Sequence, residues 1–251
     1  MTHRFRATLG VALLLCAAGA GAFTVDELVA KNVEAKGGAA ALAAVKSLRR
    51  SGKLVVGGGQ YVLDIVETKQ RPEAIRVEVS LQGLTQVQAY DGREGWQVDP
   101  FGGRKDPERM AADDLKGLIE DADIGGPLVD FEARGSKVEY LGTEDIDGTA
   151  AHKLKVTRSN GDLQYVYLDP DYFLEIRVES QRTVRGVRQV IFTDLGNYEK
   201  VAGVYWPLSL ENGRRGSSDT SKIEFEKAEV NPQLDPQLFS FPAVAARGGQ
   251  P

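Results

Sequence analysis

The sequence has only one cysteine and two histidines among its 251 residues. Cys16 and His3 both lie near the N-terminus, so the chain beyond them holds no thiol and a single histidine, His152. No disulfide can then stabilise that part of the chain, which must rely on a hydrophobic core even in an oxidising compartment. The same scarcity excludes a histidine-rich metal site and a thiol nucleophile.

Long hydrophobic runs are also missing, apart from one at the N-terminus. Arg4 and Arg6 precede the apolar residues 9–18, and Ala20-Gly21-Ala22 has the small-x-small form that signal peptidases cleave. A lipoprotein signal is not favoured, because Cys16 follows three leucines instead of a small residue. We predict a signal peptide over residues 1–22, one domain over 23–242 and a disordered tail over 243–251.

Basic residues are too few for a nucleic-acid partner. The formal net charge is −5, and loss of the two signal arginines would make it −7. Phosphate binding needs a basic face, so nucleic acid is not expected. After residue 22 no apolar run approaches the roughly 20 residues of a membrane span, so the exported chain is predicted to be soluble.

Alternation with a period of two dominates the chain after residue 54. Ile75, Val77 and Val79, for example, alternate with polar residues, and Asp-Gly or Asn-Gly pairs separate such runs. This pattern is typical of antiparallel strands joined by tight hairpins, with one face dry and one wet. Ten or eleven strands in a meander are predicted, which makes the domain mainly β with a few helices (α+β).

Three helices interrupt this pattern. Thr24 and Glu27 form a capping box before the first helix, and the second covers about residues 39–48. The third, over residues 111–122, lies in a forty-residue interruption of the meander and is predicted to be functional. Its acidic residues are predicted to form a solvated face: Asp113, Asp114, Glu120, Asp121 and, just beyond it, Asp123.

The stretch before the third helix is predicted to be the joint of a lid. Trp96 lies on a strand that Pro100 and the following glycines end, and residues 104–110 lead into the helix. Pro107 suits a helix entry.

No catalytic constellation emerges. Residues 102–106, GGRKD, lack the hydroxyl residue of a phosphate loop, and there is no Gly-x-Ser-x-Gly sequence. His152 lies in an alternating strand and is predicted to pack there, and the acidic clusters supply too few oxygens for calcium. We predict no enzyme, no metal and no other cofactor.

Apolar residues occur on both faces of some strands, as over residues 61–66. Such strands need covering on both sides or a ligand on one side. Two outcomes therefore stay open at this point, a filled core and a cavity for an apolar ligand.

Three stretches carry a family resemblance: GGAAALAAVKSL at 37–48, YDGREGW at 90–96 and TDLGNYEKVAGVYWP at 193–207. In their order and spacing they resemble the outer-membrane lipoprotein-sorting (LolA-like) family, over nearly the whole chain after the signal. The resemblance implies a half-open antiparallel β-barrel of about eleven strands, with N-terminal and inserted helices as a lid over a hydrophobic cavity.

The resemblance also implies a function. A monomeric periplasmic carrier would bind a lipid or lipoprotein acyl chains, and would meet an inner-membrane exporter or an outer-membrane acceptor protein. The alternative is an envelope sensor that binds a protein partner with the same concave sheet. The residues predicted to line the pocket are Leu63, Ile65, Val77, Val79, Trp96, Phe101, Leu115, Leu118 and Ile119.

Overall fold

A computed structural model describes residues 23–242. The predicted signal peptide and tail lie outside these residues. The helices are α1 (Val25–Ala35), α2 (Ala39–Ala44) and α3 (Ala112–Asp121). The strands are β1 (Ser47–Val56), β2 (Tyr61–Gln70), β3 (Ala74–Leu81), β4 (Leu84–Tyr90), β5 (Gly95–Asp99), β6 (Arg104–Arg109), β7 (Lys137–Ile146), β8 (Thr149–Thr157), β9 (Leu163–Leu168), β10 (Glu175–Val184), β11 (Val187–Val201), β12 (Val204–Arg214) and β13 (Thr220–Val230).

All thirteen strands belong to one antiparallel sheet, in the order β6-β5-β4-β3-β2-β1-β13-β12-β11-β10-β9-β8-β7. Two meanders, β1 to β6 and β7 to β13, are therefore joined through the pairing of the first strand with the last. The outer strands β6 and β7 do not pair with each other, so the sheet is an open half-barrel. The predicted fold class is confirmed.

The strand count exceeds the predicted number of about eleven, and β6 is one of the additional strands. The residues that were predicted to lead into a helix instead pair with β5, with Arg109 opposite Trp96 and Glu108 opposite Gln97. Pro107 fits here for a different reason than predicted. An edge strand tolerates a residue that has no N–H to donate.

The N-terminal helices begin and end largely as predicted. Thr24 accepts a hydrogen bond from the Glu27 amide at 3.2 Å, and the Thr24 amide donates to the Glu27 carboxylate at 2.8 Å, which completes the capping box. The second helix is shorter than predicted and ends at Ala44. Leu48 lies instead in β1, opposite Val230 of β13 and Lys69 of β2.

The two edges of the sheet differ in their surroundings. We call the edge that carries the β1–β2 turn the upper edge and the opposite one the lower edge. The helices α1 and α2 lie at the lower edge, where the Tyr205 amide donates to the carbonyl of Lys36 at 2.9 Å. No helix within residues 23–242 is long and apolar enough to cross a membrane.

Candidate functional site

The concave face of the sheet is defined by alternate residues of β1. Leu48, Arg50, Gly52 and Leu54 share this face because side chains alternate along a strand. Leu54 lies opposite Leu63 of β2 and opposite Ile223 of β13. A β-carbon on Gly52 would lie 2.0 Å from the carbonyl oxygen of Glu224, so only glycine permits this close approach of β13.

Buried apolar clusters fill part of the lower half of the concave face. Leu42 of α2 packs with Leu48, Trp206 and Phe225 in one buried cluster. A second cluster joins α1 to β8 and β9 through Leu28, Leu154, Val166 and Leu168. In the upper half Leu63 is buried, but six other aliphatic side chains are only half-buried: Leu54, Val77, Val79, Leu195, Leu210 and Ile223.

Helix α3 is anchored on one side of this face by apolar contacts. Leu115 and Leu118 pack against Ile75 of β3 and Tyr90 of β4 in a buried cluster. Gly95 leaves the space for Leu115, because a β-carbon there would lie 2.0 Å from a Leu115 methyl group. The apolar stripe of the sequence therefore fixes α3 to β3 and β4.

Polar contacts hold the other side of α3 to the β10–β11 hairpin. Asp114 forms an ion pair with Arg185 at 2.7 Å, and Glu120 forms one with Arg182 at 3.2 Å. The Lys116 ammonium donates to the Thr183 carbonyl at 2.6 Å. The helix thus spans the concave side between the two arms of the sheet.

A cavity of about 390 Å³ lies between α3, the loop at residues 123–127 and strands β9 to β12. This volume is within the range of about 300–1,000 Å³ that small-molecule sites occupy. Its apolar lining comes mainly from Leu48, Ile124, Val178, Ile191, Leu195, Trp206 and Leu210. A second depression, of 660 Å³, lies at the lower edge between α1, α2 and residues 128–133.

Charged side chains also line the first cavity, and one of its buried cations is Lys36. Its ammonium lies 2.7 Å from the Glu175 carboxylate and donates to the Gly125 carbonyl at 2.8 Å. The two side chains are 8% and 6% exposed. This pair ties the end of α1 to β10 and to the loop after α3.

A second buried ion pair lies on β1 and β2. Arg50 lies 2.7 Å from Glu67 and donates to the Pro207 carbonyl at 2.9 Å, while Lys69 lies 3.5 Å from Glu67. Burial alone would raise the pKa of Glu67, but the two cations outweigh it and lower that pKa. Glu67 is therefore charged at neutral pH.

Asp121 lines the cavity without an ion pair to any residue between 23 and 242. Its side chain is exposed on the cavity side. Partial loss of water there, with Glu67 and Glu120 nearby, raises its pKa to about 6 against the opposing charges of Lys69 and Arg182. The prediction that the acidic residues on α3 and just beyond it form a solvated face is wrong for Glu120 and Asp123, whose side chains are 10% and 14% exposed. Asp121 is exposed, as predicted.

Asp121→Asn should stabilise the protein at pH 7.5 and have little effect at pH 4. A carboxyl whose pKa is raised on folding binds its proton more tightly in the native state, so stability falls as pH rises from about 4 to 6. Urea unfolding at both pH values measures the difference. Asp171→Asn, at an exposed turn, is the control, and an equal gain from Asp121→Asn at both pH values would contradict the assignment.

The only histidine of residues 23–242 is packed among aromatic rings. His152 stacks on Phe173 at 5.9 Å between ring centroids, contacts Phe23 at 5.0 Å, and its Nδ1 lies 2.9 Å from the Tyr140 hydroxyl. Burial lowers its pKa. Within those residues no group of three His, Cys, Asp or Glu side chains is placed to hold a metal ion.

The residues predicted to line the pocket fall into separate places. Leu63, Ile65, Val77 and Val79 share the concave face, since Ile65 lies opposite Val79 and Glu67 opposite Val77. Leu115, Leu118 and Ile119 lie on α3, and Phe101 lies in the β5–β6 turn, 42% exposed. None of the nine lines the 390 Å³ cavity, and a role for the concave ones in ligand binding stays a prediction.

Trp96 lies on the opposite face of the sheet. Trp96 pairs with Ala89 of β4, and Ala89 faces away from the concave side because its neighbour Tyr90 faces towards it. The Arg76 guanidinium lies over the Trp96 ring, 5.4 Å from its centroid. The chain after β13 covers it, with its indole N–H donating to the Phe239 carbonyl at 2.9 Å and Phe241 in contact. The placement of Trp96 in the pocket is therefore wrong, because one residue of phase in a strand reverses the face.

Trp96→Phe should lower the free energy of unfolding by about 1–2 kcal/mol, because it removes one buried hydrogen bond and some packing volume. It should leave ligand binding on the concave face unchanged. Urea unfolding and a fluorescent fatty-acid titration measure the two effects. Trp206→Phe is the matched comparison, since Trp206 lines the cavity and should alter both; an altered titration with Trp96→Phe would contradict the placement.

The sequence analysis did not predict that charged residues line the cavity. For two of them, however, the position along the strand indicates that the side chain is enclosed. Arg50 is in phase with Leu48 and Leu54, and Lys69 is in phase with Leu63 and Ile65. A charged residue in phase with an apolar face is enclosed by the core unless the strand is irregular. Lys36 and Glu175 are not in phase with an apolar strand face, and no sequence pattern predicts that they form a pair.

No model of a protein family and no curated protein matches this sequence. Solved structures match it by shape. A LolA superfamily protein from Nitrosomonas europaea has a TM-score of 0.57 at 14% identity, over 87% of this chain and 98% of its own. The chain has a LolA-like fold. The resemblance inferred from the three motifs is thus confirmed at the level of the fold.

Two further structures share the LolA-like fold. A DUF1329 family protein from Desulfovibrio piger has a TM-score of 0.60 at 13% identity, over 86% of this chain and 96% of its own. A domain assigned as an outer membrane lipoprotein-sorting protein from Vibrio parahaemolyticus has a TM-score of 0.57 at 11% identity, over 84% and 95%. At identities this low, the similarity in shape establishes the fold but says nothing about the ligand. The ligand has to be inferred from the site itself.

Proposed function

We propose that this protein binds an amphiphilic lipid, with the acyl chain on the concave face and the polar end near the charged groups of the cavity. The observation that carries the proposal is the two-sided lining of the cavity. Half-buried aliphatic side chains of β10 to β12 form one part of it, such as Ile191, Leu195 and Leu210. Lys36, Arg50 and Arg182 lie among the charged groups of the same cavity.

Burial of the acyl chain would supply the affinity. Each methylene removed from water contributes about 0.8 kcal/mol, so a chain of about a dozen carbons offsets the cost of association. The polar end would be oriented by cations that are already enclosed and partly paired, which limits the additional desolvation. No chemical step is needed, and we propose binding without catalysis.

The LolA-like fold supports a finer proposal. We propose a periplasmic carrier of lipid or lipoprotein acyl chains that exchanges its cargo with proteins of the two membranes. The signal-like N-terminal sequence supports export, with its basic start, apolar run and Ala20-Gly21-Ala22. Release of the cargo would require α3 to move, because α3 spans the concave side.

Native mass spectrometry tests the proposal. Protein taken from the periplasm by gentle extraction should carry a lipid adduct, and delipidated protein should bind a fluorescent fatty acid with one site. A clean apo mass together with no binding of the fatty acid would refute the proposal. Recovery of one stoichiometric protein partner, free of lipid, would favour the sensor alternative.

A further inference from the structure

The large apolar side chains that the protein exposes are concentrated at the upper edge of the sheet. Seven such residues are exposed within residues 23–242, and five of them lie in or beside upper-edge turns. The β1–β2 turn carries Tyr61 and Val62, at 55% and 54% exposure, and the next two turns carry Leu84 and Phe101. Val187 lies at the β10–β11 turn, and of the two others Tyr172 lies at the lower edge.

Charge is distributed unevenly between the same two edges. The six upper turns, together with the two residues on either side of each, hold seven basic and three acidic residues, a balance of +4. The five lower turns with the same flanking residues hold four basic and eight acidic residues, a balance of −4. The upper basic residues are Arg104, Lys105, Arg158, Arg185, Arg188, Arg214 and Arg215.

Several of these cations are not neutralised by neighbours. Three of the seven are paired: Arg104 with Asp99 and Glu108, Arg185 with Asp114, and Arg215 with Glu179. Lys105, Arg188 and Arg214 are exposed and form no ion pair with any other part of residues 23–242. A chain with a formal charge of −5 thus carries an exposed basic surface at one edge.

The order of the turns along the upper edge places the two properties side by side. Neighbouring turns are two strands apart, which is about 10 Å. The apolar turns β3–β4 and β1–β2 lie between the basic β5–β6 turn on one side and the basic β12–β13 and β10–β11 turns on the other. An apolar centre flanked by cations is the surface chemistry that binds anionic lipid interfaces.

We propose that the upper edge of the sheet docks on an anionic phospholipid surface. Tyr61, Leu84 and Phe101 would enter the interface, and the flanking arginines and lysine would contact lipid phosphates. The opposite charge of the lower edge would hold it away from the same surface and orient the protein. This goes beyond the proposed function, because it concerns a surface outside the cavity.

Cosedimentation with phosphatidylglycerol vesicles in low salt tests the proposal, with phosphatidylcholine vesicles as the neutral reference. Wild-type protein should bind the anionic vesicles and be released by salt. The double variant Lys105→Glu/Arg214→Glu should bind at least about 25-fold more weakly, because each of the two basic residues contributes about fivefold near an anionic surface. Arg93→Glu/Lys200→Glu, two reversals at the lower edge, should bind within twofold of wild type.

The apolar contribution is tested with Tyr61→Ser/Leu84→Ser/Phe101→Ser, which should also weaken binding about tenfold. Tyr172→Ser is its control, since this side chain is 74% exposed at the lower edge. Circular dichroism confirms that each variant is folded. Wild-type protein that stays in the supernatant, as expected of an edge that binds a protein instead, or equal losses for upper-edge and lower-edge variants, would overturn the proposal.

A soluble fluorescent fatty acid separates this proposal from the proposed function. Upper-edge charge variants should bind the fatty acid as wild type does. If wild type binds the fatty acid but no vesicles, the docking proposal is wrong and the proposed function stands. If it binds vesicles but no fatty acid, the docking proposal stands and the proposed function is wrong.

Discussion

Lys36→Ala should lower the free energy of unfolding by about 3–5 kcal/mol. The reason is the charge that the substitution leaves behind. Glu175 is 6% exposed, and its nearest cation, 2.7 Å away, is Lys36. Without Lys36, Glu175 must remain charged in a poorly solvated site or take up a proton, and the Gly125 carbonyl also loses its donor.

Urea unfolding followed by circular dichroism measures this loss. The matched control is Lys53→Ala, because Lys53 forms an ion pair with Asp64 at 2.5 Å in which the side chains are 45% and 67% exposed. An exposed pair contributes about 0–1 kcal/mol. A loss for Lys36→Ala no larger than for Lys53→Ala would show that the buried pair is solvated in solution.

The double variant Lys36→Met/Glu175→Leu sharpens this test. When both charges are removed, no uncompensated charge stays buried, and an apolar pair of similar volume is often neutral or stabilising. We therefore expect the double variant to be more stable than either single variant. The loss then belongs to the unpaired charge, and additive losses would point to packing instead.

Leu210→Lys should weaken binding of a fluorescent fatty acid by about 2–3 kcal/mol, roughly 30- to 150-fold. Leu210 lines the cavity, half-buried, and lies between Leu195 of β11 and Ile223 of β13. An ammonium at this position remains hydrated in the empty cavity. An acyl chain would have to displace that water without offering a hydrogen-bond acceptor.

The neighbouring residue provides the control for this variant. Glu211 is exposed on the other face of the same strand, so Glu211→Lys introduces the same side chain outside the cavity. Its titration should match that of wild type. Equal titrations for Leu210→Lys, Glu211→Lys and wild type would mean that the fatty acid binds elsewhere, for instance in the depression between α1 and α2.

Residues 92–110 show which parts of the fold can be predicted from local sequence and which cannot. Asp91-Gly92 predicted a hairpin and Pro100 predicted the end of its second strand, and both features are present, with the Asp91 amide donating to Glu94 at 3.2 Å across the turn. Residues 104–109, by contrast, are a strand. They have no apolar alternation, and only pairing with β5 makes them extended, which local sequence does not encode.

The site was predictable only in part, for a similar reason. Alternation correctly placed Val77 and Val79 on one face, and helical spacing placed Leu115 and Leu118 on one stripe. Which face of the sheet is concave depends on the long-range pairing of β1 with β13 and on the curvature of thirteen strands. Trp96 was assigned to the wrong face because the chain after β13 covers the convex face of the sheet. No local sequence pattern predicts the contact between Trp96 and Phe239.

The sequence by itself determined the mainly antiparallel sheet, the capped first helix, the inserted helix and the absence of disulfides beyond the N-terminus. These features depend on residue spacing and composition, which act over a few residues. Tertiary structure alone decided that Lys36 and Glu175 form a buried pair. Lys36 and Glu175 are separated by 139 positions, and the cavity beside them exists only where α3 crosses between the two arms of the sheet.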